Sequence, residues 1–489
     1  MDSLSRLRDV VKRKIGGKDL VLVSHSEPYV NYYAEGEVKW RKASGGLVTA
    51  LDPLMRACGG TWIAYASGEA DHEVTDRNGI VKVPPDEMKY ALKRIRLEKE
   101  DLTNYLDGVS HSSLWPWCHF SFVRPEFKDE RWEYYRKVNR IFADAVIESI
   151  GNRKGFVWIQ DYQLSLVGKY IKEKRPDIVT AHFWHIPWPN AEIYKICPWG
   201  QEILGSLLYN DLLGFQVRYY ANNFLDSADQ TLQARVDREQ STVFYKDSQT
   251  LVKEFPISID CHEKKLQEAG KQDMLSLRKH FGIISKKVGV GVDRMDYSKG
   301  LVEKFLAVNE FFRRYPAYAG KFTLVQVASP TRSQVPAYKE NAEKVFSTAE
   351  EVNYRWGNGK WKPIILINEF LSSEEIAGLY GMSDCCLVTS LHDGMNLVSK
   401  EYAISKRDGS GMLLLSKFTG ASRELKHAVL VNPYAIGETA DALKQALEMP
   451  IEERKERMAR MAQDVQDNDV YKWASDFIEH IAKLSSTVV

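Results

Sequence analysis

The chain has 489 residues, of which 44% are hydrophobic and 27% are charged, a composition typical of a globular protein with two or three domains. Its 67 Lys and Arg residues balance 66 Asp and Glu residues, which leaves a formal charge of +1. This balance argues against binding to duplex DNA or an anionic membrane, and no apolar run reaches the roughly 20 residues of a membrane span.

The first segment, Met1 to Lys18, is basic and spaces its leucines and valines at near-helical intervals. Asp2 and Asp9 interrupt its positive face, and no small-residue cleavage site follows. We therefore expect a helix that packs on the domain or on a partner subunit, rather than a targeting segment. Homo-oligomer formation is left open.

Short apolar runs rich in β-branched residues then alternate with helix-period segments, a pattern typical of parallel sheets built from βαβ units. Strands are predicted at Leu20–Val23, Trp62–Ala66, Gly155–Ile159, Val179–Trp184 and Leu212–Phe215. A long polar loop is expected after the first of them. Helices are predicted from Gly45-Gly46 to Arg56 and at Gln163–Lys174, Ala191–Leu208 and Arg218–Gln233.

A polar, charged stretch at Asp260–Gln272 indicates a linker, and a second alternating series follows it. Strands are predicted at Lys287–Val292, Phe322–Val327, Pro363–Ile367, Cys385–Thr389, Met412–Leu415 and Ala428–Val431. Helices are predicted at Val302–Tyr315, Ser373–Met382 and Asn396–Ile404, with three charged helical segments from Thr439 to Leu484. Two open α/β domains place a ligand cleft between two rows of strand ends.

Six cysteines lack C-x-x-C spacing, and the adjacent pair Cys385 and Cys386 lies in an apolar run. They are typical of reduced thiols in a protein core. This pattern predicts a cytoplasmic protein.

The segment G-V-D-R-M-D-Y-S-K-G, from Gly291 to Gly300, follows an apolar strand and opens a helix. Arg294 and Lys299 then stand beside a helix N-terminus, where free N–H groups and the helix dipole favour an anion. A pyrophosphate fits this arrangement. The alternative is a surface loop of Asp–Arg ion pairs without a ligand.

The segment S-L-H-D-G-M-N-L-V-S-K-E repeats the order of strand, tight turn and helix. Gly394 permits a positive φ, so that successive N–H groups can point at one ligand. These groups belong to Met395, Asn396 and Leu397. The Asp393 carboxylate can bind sugar hydroxyls, and Glu401, about two turns into the helix, can accept from a ribose. A plain turn with a helix cap is the alternative.

Four further strand ends and turns carry candidate residues. Gly46 belongs to a glycine turn before a helix, which alone is weak evidence of a site because Gly-Gly also serves close packing. Asp161 and His185 follow neighbouring predicted strands and would converge on one crevice, although a single histidine is as often structural. Arg332 follows another strand and suits a phosphate or a carboxylate.

Together these segments resemble the trehalose-6-phosphate synthase family, retaining GT-B glycosyltransferases that use a nucleotide sugar and glucose 6-phosphate. The resemblance runs from about Leu20 to the C-terminus and rests on S-G-G-L, Q-D-Y-Q-L, H-I-P-W-P, D-L-L-G-F, V-D-R-M-D-Y-S-K-G and D-G-M-N-L-V-S-K-E. It implies two Rossmann-like α/β domains whose parallel sheets face an interdomain cleft. The acceptor-binding domain would comprise residues 1–262 and a returning helix at 468–489, and the nucleotide-sugar domain residues 273–467.

The resemblance also implies roles for the donor-side residues. Arg294 and Lys299 would bind the diphosphate, and Glu401 would bind the ribose. The donor sugar and phosphate would contact Asp393, Gly394 and the backbone of Met395, Asn396 and Leu397. Gly46 would lie against the donor, and His185 would contact the donor sugar near the reacting carbon.

On the acceptor side, the resemblance implies that Asp161 orients the acceptor and Arg332 binds its phosphate, with Trp115 lining that pocket. Two positions depart from the family. Its first strand usually ends S-N-R, where this chain has S-H-S with Ser26 in place of the arginine. The tyrosine expected nine residues before Trp115 is Leu106, and the adjacent Tyr105 is taken as the acceptor-binding residue instead.

A lost charge-assisted hydrogen bond to phosphate costs about 1.5–3 kcal/mol unless another cation replaces it. Three cations in the neighbouring loop are candidates, namely Lys39, Arg41 and Lys42. A further change is Tyr65, where many relatives have tryptophan. The donor half of the pattern is therefore intact, whereas the acceptor-phosphate half lacks some of the expected residues.

The predicted activity is transfer of glucose from a nucleoside-diphosphate glucose to glucose 6-phosphate, which forms α,α-trehalose 6-phosphate. Small molecules are the expected partners, no cofactor beyond the sugar nucleotide is expected, and no metal is required because fixed cations stabilise the leaving group. One alternative is the same donor chemistry with another phosphorylated acceptor, as in glucosylglycerol-phosphate synthases. Another is a catalytically weak regulatory subunit that binds sugar phosphate. The absence of G-x-G-x-x-G after the first strand argues against a dehydrogenase.

Overall fold

The computed structural model describes residues 2–16, 18–43, 45–263, 266 and 274–485. The described residues fall into two compact units. One contains the residues up to Cys118, Arg124–Ile257 and the residues from Val470 onward, and the other contains His119–Val123 and Ser258–Asp469. The sequence had assigned His119–Val123 to the first domain. Much of the predicted linker, residues 264, 265 and 267–272, lies outside the described residues.

The first unit is built on a mostly parallel sheet and a separate hairpin. Its strands are β1 (Asp19–Val23), β2 (Tyr29–Ala34), β3 (Glu37–Lys42), β4 (Thr61–Tyr65), β5 (Ile80–Val83), β6 (Tyr90–Ile95), β7 (Gly155–Gln160), β8 (Val179–Trp184), β9 (Leu212–Phe215), β10 (Arg235–Asp237), β11 (Thr242–Tyr245) and β12 (Ser248–Glu254). The sheet order is β10-β11-β12-β9-β8-β7-β1-β4-β6-β5, and β2 pairs with β3. All six residues of β7 are buried, as expected for a strand covered on both faces.

Helices cover this sheet. They are Ser3–Lys14, Gly46–Cys58, Lys99–Asp101, the π-helix Leu102–Leu114, Trp115–Cys118, Asp129–Ile150, the 3₁₀ turn Tyr162–Leu164, Val167–Lys174, Ala191–Tyr194, Gly200–Leu207, Arg218–Leu232 and Val470–Ser485.

The second unit has a six-stranded sheet in which every strand is parallel to its neighbours. Its strands are β13 (Lys287–Arg294), β14 (Phe322–Ser329), β15 (Ile364–Ile367), β16 (Cys385–Val388), β17 (Met412–Ser416) and β18 (Val429–Val431). They are ordered β15-β14-β13-β16-β17-β18. Its helices and 3₁₀ turns are Met274–His280, Tyr297–Lys299, Leu301–Arg314, Pro316–Tyr318, Pro336–Trp356, Ser373–Met382, Leu397–Ser405, Gly420–Arg423, Ile436–Glu448 and Ile451–Asp467.

Every predicted strand is present, within two residues at each end. Three other expectations are wrong. The long polar loop after β1 is the hairpin β2–β3, in which Tyr29 pairs with Lys42. The helix predicted at Ala191–Leu208 is broken into two pieces around Pro198, which cannot donate the backbone hydrogen bond that a continuous helix needs. The helix predicted at Gln163–Lys174 becomes regular only from Val167.

The N-terminal helix packs on the unit to which it belongs, which confirms the expectation drawn from its sequence. Leu7 and Val10 are buried, and the helix lies against the last helix of the chain. Arg6 reaches Asp476 at 3.0 Å and Glu479 at 3.4 Å across that contact. The helix is thus held both by its apolar face and by its charges.

All six cysteines are free, and five of them are buried, as expected of core thiols. Cys58 is the partly exposed one, and burial still raises the pKa of its thiol to about 12. None of the described helices combines the length and the apolar character needed to cross a lipid bilayer.

Candidate active site

In the second unit, the end of β13 carries two predicted cations and a carboxylate. The strand ends at Arg294, and the 3₁₀ turn Tyr297–Lys299 follows, capped by Asp296, whose side chain accepts a hydrogen bond from Ser298 N. Gly300 then opens the next helix at a φ of +64°, and a Cβ there would lie 2.4 Å from the carbonyl oxygen of Thr389. Only glycine fits this position.

Each cation at this strand end has an acidic partner. Lys299 Nζ lies 2.5 Å from Asp393 Oδ2, which joins the two predicted donor loops. Arg294 lies 3.6 Å from Asp296 Oδ2. Burial alone would raise the pKa of Asp393, but Lys299 and the Asn396 side chain lower it to about 2. Asp393 is therefore ionised at neutral pH.

The turn after Asp393 differs from the expected one. Gly394 does not take a positive φ; Asn396 does, at +87°. Asn396 also caps the helix Leu397–Ser405 by accepting from Ser399 N at 3.0 Å, and its amide donates to Asp393 at 3.2 Å. The small size of Gly420 explains the tight turn better, because a Cβ there would lie 2.1 Å from Gly394 O.

The remaining predicted residues of the second unit lie on neighbouring elements. Met395 is buried, and Ala421 N donates to its carbonyl at 2.9 Å. Glu401 accepts a hydrogen bond from Tyr380 Oη at 3.1 Å. Arg332 follows β14, the strand beside β13, and its Nη1 lies 3.7 Å from Asp296 Oδ2. The structure thus brings Arg332 to the same carboxylate as Arg294.

Arg332 is also held by its own surroundings. Its φ is +51°, a left-handed conformation that a non-glycine residue adopts at a cost in energy. Its guanidinium lies over the ring of Tyr338, 5.2 Å from the centroid, and donates to the Tyr338 hydroxyl. Its side chain is only 9% exposed. The arginine is therefore fixed in place before any ligand binds.

A pair of histidines beside Asp393 was not anticipated. Phe120 N donates to His392 Nδ1 at 3.2 Å, and the Phe120 ring stacks on His392 at 5.0 Å. The ring of His119 lies 5.9 Å from that of His392, and His119 contributes to the lowered pKa of Asp393. No motif in the sequence links His119 to the D-G-M-N loop, which lies more than 270 residues later.

In the first unit, Asp161 and His185 follow the adjacent parallel strands β7 and β8. His185 N donates to Asp161 Oδ1 at 3.1 Å, so the structure joins this predicted pair. Asp161 has a φ of +70°. Strained backbone of this kind collects at functional sites, because the surrounding structure must hold it in place.

Two glutamines hold the imidazole of His185. Gln216 Oε1 accepts from Ile257 N at 3.0 Å, so its amide nitrogen faces His185 Nδ1 at 3.4 Å as a donor. His185 Nε2, 2.8 Å from Gln160 Oε1, must then carry the proton. Burial, with a smaller effect of His182, lowers the pKa of His185 to about 3. The imidazole is neutral at physiological pH.

At the end of β1, the imidazole of His25 is surrounded by aromatic rings. It precedes Ser26, the position at which the family has an arginine. His25 stacks on Tyr65 with a centroid distance of 5.5 Å, and the buried Tyr105 places its hydroxyl 3.4 Å from His25 Nδ1. Burial lowers the pKa of His25 to about 4. Ser24 accepts from Trp62 Nε1 at 2.8 Å and fixes the strand end. This strand end therefore carries no charge at neutral pH.

The loop cations suggested as replacements are engaged or exposed. Lys42 Nζ lies 2.8 Å from Asp52, which is fully buried and also accepts from Tyr29 and Tyr90. Lys39 pairs with Glu35 at 3.0 Å, and Arg41 is exposed. The structure gives no support to Lys42 as a phosphate ligand.

Three other features of the first unit bear on the predicted site. Trp115 is buried with its ring 5.8 Å from that of Tyr162. Gly46 begins the helix Gly46–Cys58 after Gly45, whose φ is +140°, and Ser44 lies outside the described residues. Arg94, which the sequence did not single out, is fully buried and pairs at 2.8 Å with both Glu27 and Asp71.

One group among the described residues has the composition of a metal site. Its members are Cys261, His262 and Asp469, whose ligand atoms lie within 4.8 Å of one another. Burial and the nearby Asp469 raise the pKa of the Cys261 thiol to about 12. These residues do not lie on the strand ends that carry the predicted site, so the group is not part of it.

Comparison with known proteins places these features in context. The family model described as glycosyltransferase family 20 matches residues 18–483. The trehalose-6-phosphate synthase of Mycolicibacterium smegmatis is 34% identical over 484 residues, covering 96% of this chain and 94% of that protein. The trehalose-6-phosphate synthase of Mycolicibacterium gilvum is 35% identical over 476 residues, covering 95% and 93%.

Solved structures are similar over the same length. One is described as trehalose-6-phosphate from E. coli bound with UDP-2-fluoro glucose, with a TM-score of 0.84, 29% identity, and coverage of 95% of this chain and 99% of that chain. Another is a UDP-forming α,α-trehalose-phosphate synthase from Burkholderia xenovorans in complex with glucose-6-phosphate, with a TM-score of 0.84, 28% identity and the same coverage. The similarity therefore includes both units.

Proposed function

Because the chain belongs to glycosyltransferase family 20, the family of the trehalose-6-phosphate synthases, we propose that it makes α,α-trehalose 6-phosphate. It is a glycosyltransferase with the GT-B fold, as the motifs implied. The proposed reaction moves glucose from a nucleoside-diphosphate glucose to glucose 6-phosphate with retention of configuration. Solved relatives described with UDP-2-fluoro glucose and with glucose-6-phosphate support this choice of substrates.

The observation that carries the proposal is the cluster of cations in the second unit. Arg294 and Lys299 follow β13, and Arg332 follows the neighbouring β14. In the proposed reaction, Arg294 and Lys299 stabilise the charge that develops on the departing diphosphate. Arg332 binds the phosphate of the acceptor. Fixed cations can supply the charge that a divalent metal supplies elsewhere, so we propose that neither metal nor cofactor is needed.

The remaining donor contacts follow from the family motifs. Asp393 and the turn from Gly394 to Leu397 would hold the sugar and its phosphate, and Glu401 would accept from the ribose hydroxyls. Binding of the sugar would then compete with Lys299 for the Asp393 carboxylate, since the two now lie 2.5 Å apart. Released from Asp393, the ammonium can turn to the diphosphate.

The proposed mechanism uses the leaving group as the base. His185, with a pKa of about 3 and its Nε2 proton directed to Gln160, has no tendency to accept a proton near pH 7. We therefore assign it to positioning the donor sugar, and Asp161 to orienting the acceptor hydroxyl. The hydroxyl attacks on the face from which the diphosphate leaves, and a departing phosphate oxygen takes its proton. Retention then needs no covalent intermediate.

A second candidate function keeps the donor chemistry and changes the acceptor. It is favoured by the neutral end of β1, where Ser26 replaces the family's arginine and the neutral His25 packs between Tyr65 and Tyr105. The loss of one expected cation is compatible with a different phosphorylated acceptor, such as glycerol phosphate. The five buried cysteines, all free, support a reducing, cytoplasmic location for either reaction.

The test is product analysis with the purified full-length chain. It is incubated with UDP-, ADP- or GDP-glucose and with either glucose 6-phosphate or glycerol 3-phosphate, and the product is identified by mass and by the NMR couplings of the anomeric protons. A non-reducing α,α-linked disaccharide phosphate supports the main proposal. A glucosylglycerol phosphate would replace it with the second candidate, and donor turnover at the rate of the buffer alone would contradict both.

A further inference from the structure

The carboxylate of Asp296 lies between two arginines that the sequence places 38 residues apart. Its Oδ1 accepts from Ser298 N at 3.0 Å. Its Oδ2 lies 3.6 Å from Arg294 Nη2 and 3.7 Å from Arg332 Nη1. All four residues belong to the second unit. One side chain thus faces cations from two adjacent strand ends.

Asp296 is fully buried, and it is nevertheless ionised. Burial raises the pKa of its carboxyl, but Arg294, Arg332 and Lys299 together lower it below the ordinary value. A buried carboxylate is tolerated only where cations compensate it. In return, its negative charge reduces the repulsion among these three cations, which would otherwise drive them apart.

The geometry of these ion pairs is unusual in one respect. Charge-assisted hydrogen bonds between guanidinium and carboxylate are typically about 2.7–2.9 Å long, whereas both pairs here exceed 3.5 Å. Among the described residues, Oδ2 has no hydrogen-bond donor within range. At these distances Asp296 attracts both arginines by charge, without accepting a hydrogen bond from either.

The two arginines differ in exposure. The Arg332 side chain is 9% exposed and is also held by Tyr338, whereas the Arg294 side chain is 43% exposed. Asp296 is thus one buried charge shared by a fixed, buried cation and a more exposed one. A change at Arg332 must alter the electrostatic field at Arg294.

We propose that Asp296 is a positioning residue that aligns Arg294 and Arg332 for two separate phosphate groups and couples their binding. This inference rests on the proposed function, in which Arg294 binds the donor diphosphate and Arg332 the acceptor phosphate. Lys299 has its own partner in Asp393, so the shared counter-ion of the two arginines is Asp296.

The test compares phosphorylated ligands with their unphosphorylated counterparts on the full-length protein. In Asp296→Asn, the amide oxygen can still accept from Ser298 N, but the charge is gone. By calorimetry, we expect UDP and the phosphorylated acceptor found in the product assay to bind about tenfold more weakly, as for one impaired charge-assisted hydrogen bond. Uridine and the dephosphorylated acceptor should bind within about twofold of wild type, since they lack the anion. A merely structural defect would weaken all four ligands alike.

Asp293→Asn is the matched control. Asp293 is a buried carboxylate near the end of β13, three residues before Asp296, but it pairs with Lys304 at 2.7 Å instead of with the arginines. This variant should have a lower melting temperature and an unchanged preference for UDP over uridine. If both variants lose that preference to the same degree, or if Asp296→Asn keeps it, the inference is wrong.

Arg332→Gln tests the coupling without changing Asp296. Without the fixed cation, Asp296 draws Arg294 out of its aligned position, so UDP should bind several-fold more weakly although Arg332 is assigned to the acceptor. Unchanged UDP binding would contradict the coupling. A wild-type protein that binds UDP but transfers no glucose would instead contradict the proposed function, and the two failures are thus distinguishable.

Discussion

The strand ends of the two units carry opposite kinds of chemistry. In the second unit, Arg294, Lys299 and Arg332 face the ionised carboxylates Asp296 and Asp393. In the first, His25 and His185 are kept neutral by burial, with pKa values of about 4 and about 3. The same α/β architecture thus supports a cluster of ion pairs in one unit, and neutral imidazoles beside the carboxylate of Asp161 in the other.

In the proposed reaction, this difference would assign separate tasks to the two groups of residues. A leaving diphosphate needs fixed positive charge, which works best when already in place. Positioning a sugar hydroxyl needs hydrogen-bond donors and acceptors of defined direction, and in the proposed reaction the Gln160–His185–Gln216 arrangement would provide them without adding charge. Substitutions in either group test this difference.

The largest effect is expected from removing a cation of the charged group. Arg294→Ala should lower kcat by about 10²–10³-fold, the loss typical of one electrostatic stabiliser of a transition state. Steady-state kinetics with saturating donor and acceptor measure it. Arg313→Ala is the control, because Arg313 is an exposed arginine of the same unit that pairs with Glu310 at 2.7 Å. A decrease of less than about tenfold for Arg294→Ala would remove the charge-stabilisation account.

The neutral group should be sensitive to acid. Because the pKa of His25 falls from 6.5 to about 4 on folding, the unfolded chain binds more protons between these pH values, and stability decreases as pH falls through them. Asp393 contributes stability above pH 3.8 that is lost only toward about 2, so it is silent between pH 7 and 5.

Replacing the titrating ring isolates this effect. Between pH 7 and pH 5, His25→Phe should lose about 1–2 kcal/mol less unfolding free energy than wild type. Urea unfolding at the two pH values measures the difference. His392 of the second unit, with a pKa also near 4, remains in both proteins and therefore cancels. Equal losses in the two proteins would show that His25 is not held neutral.

Adding charge to the neutral group should restore the family's acceptor site. Ser26 is exposed at the end of β1, so an arginine can be accommodated there. If glucose 6-phosphate is the acceptor, Ser26→Arg should lower its KM about tenfold through one charge-assisted hydrogen bond, with donor KM unchanged. Ser26→Gln, similar in length but uncharged, serves as control. A higher acceptor KM in the arginine variant would indicate that a different acceptor fits the neutral end of β1.

The smallest effect is expected at Lys42. Because its ammonium lies 2.8 Å from the buried Asp52, Lys42→Ala should leave the acceptor KM within about twofold of wild type and cost about 1 kcal/mol of stability. Acceptor kinetics and thermal unfolding give the two values. A tenfold higher KM would identify Lys42 as the cation that replaces the family's arginine.

Much of the fold could be predicted because buried parallel strands leave continuous apolar runs in the sequence. The hairpin β2–β3 was not predicted because charged residues such as Lys39 and Arg41 interrupt its apolar residues, so that its sequence resembles a loop. The turn after Asp393 was assigned to Gly394 on conformational grounds, yet Asn396 takes the positive φ. Local propensity could not foresee that Gly420 packs against the Gly394 carbonyl.

The sequence by itself determined the two-part α/β architecture, the strand ends and the types of side chain placed there, because periodicity and motifs are local properties. Only the tertiary structure decided which of those side chains share a charge. Asp296 meets Arg332, and His119 approaches Asp393, through contacts between residues distant in the chain. The neutrality of His25 and His185 was likewise decided by burial, since desolvation depends on the whole packed surroundings and not on neighbouring residues in the sequence.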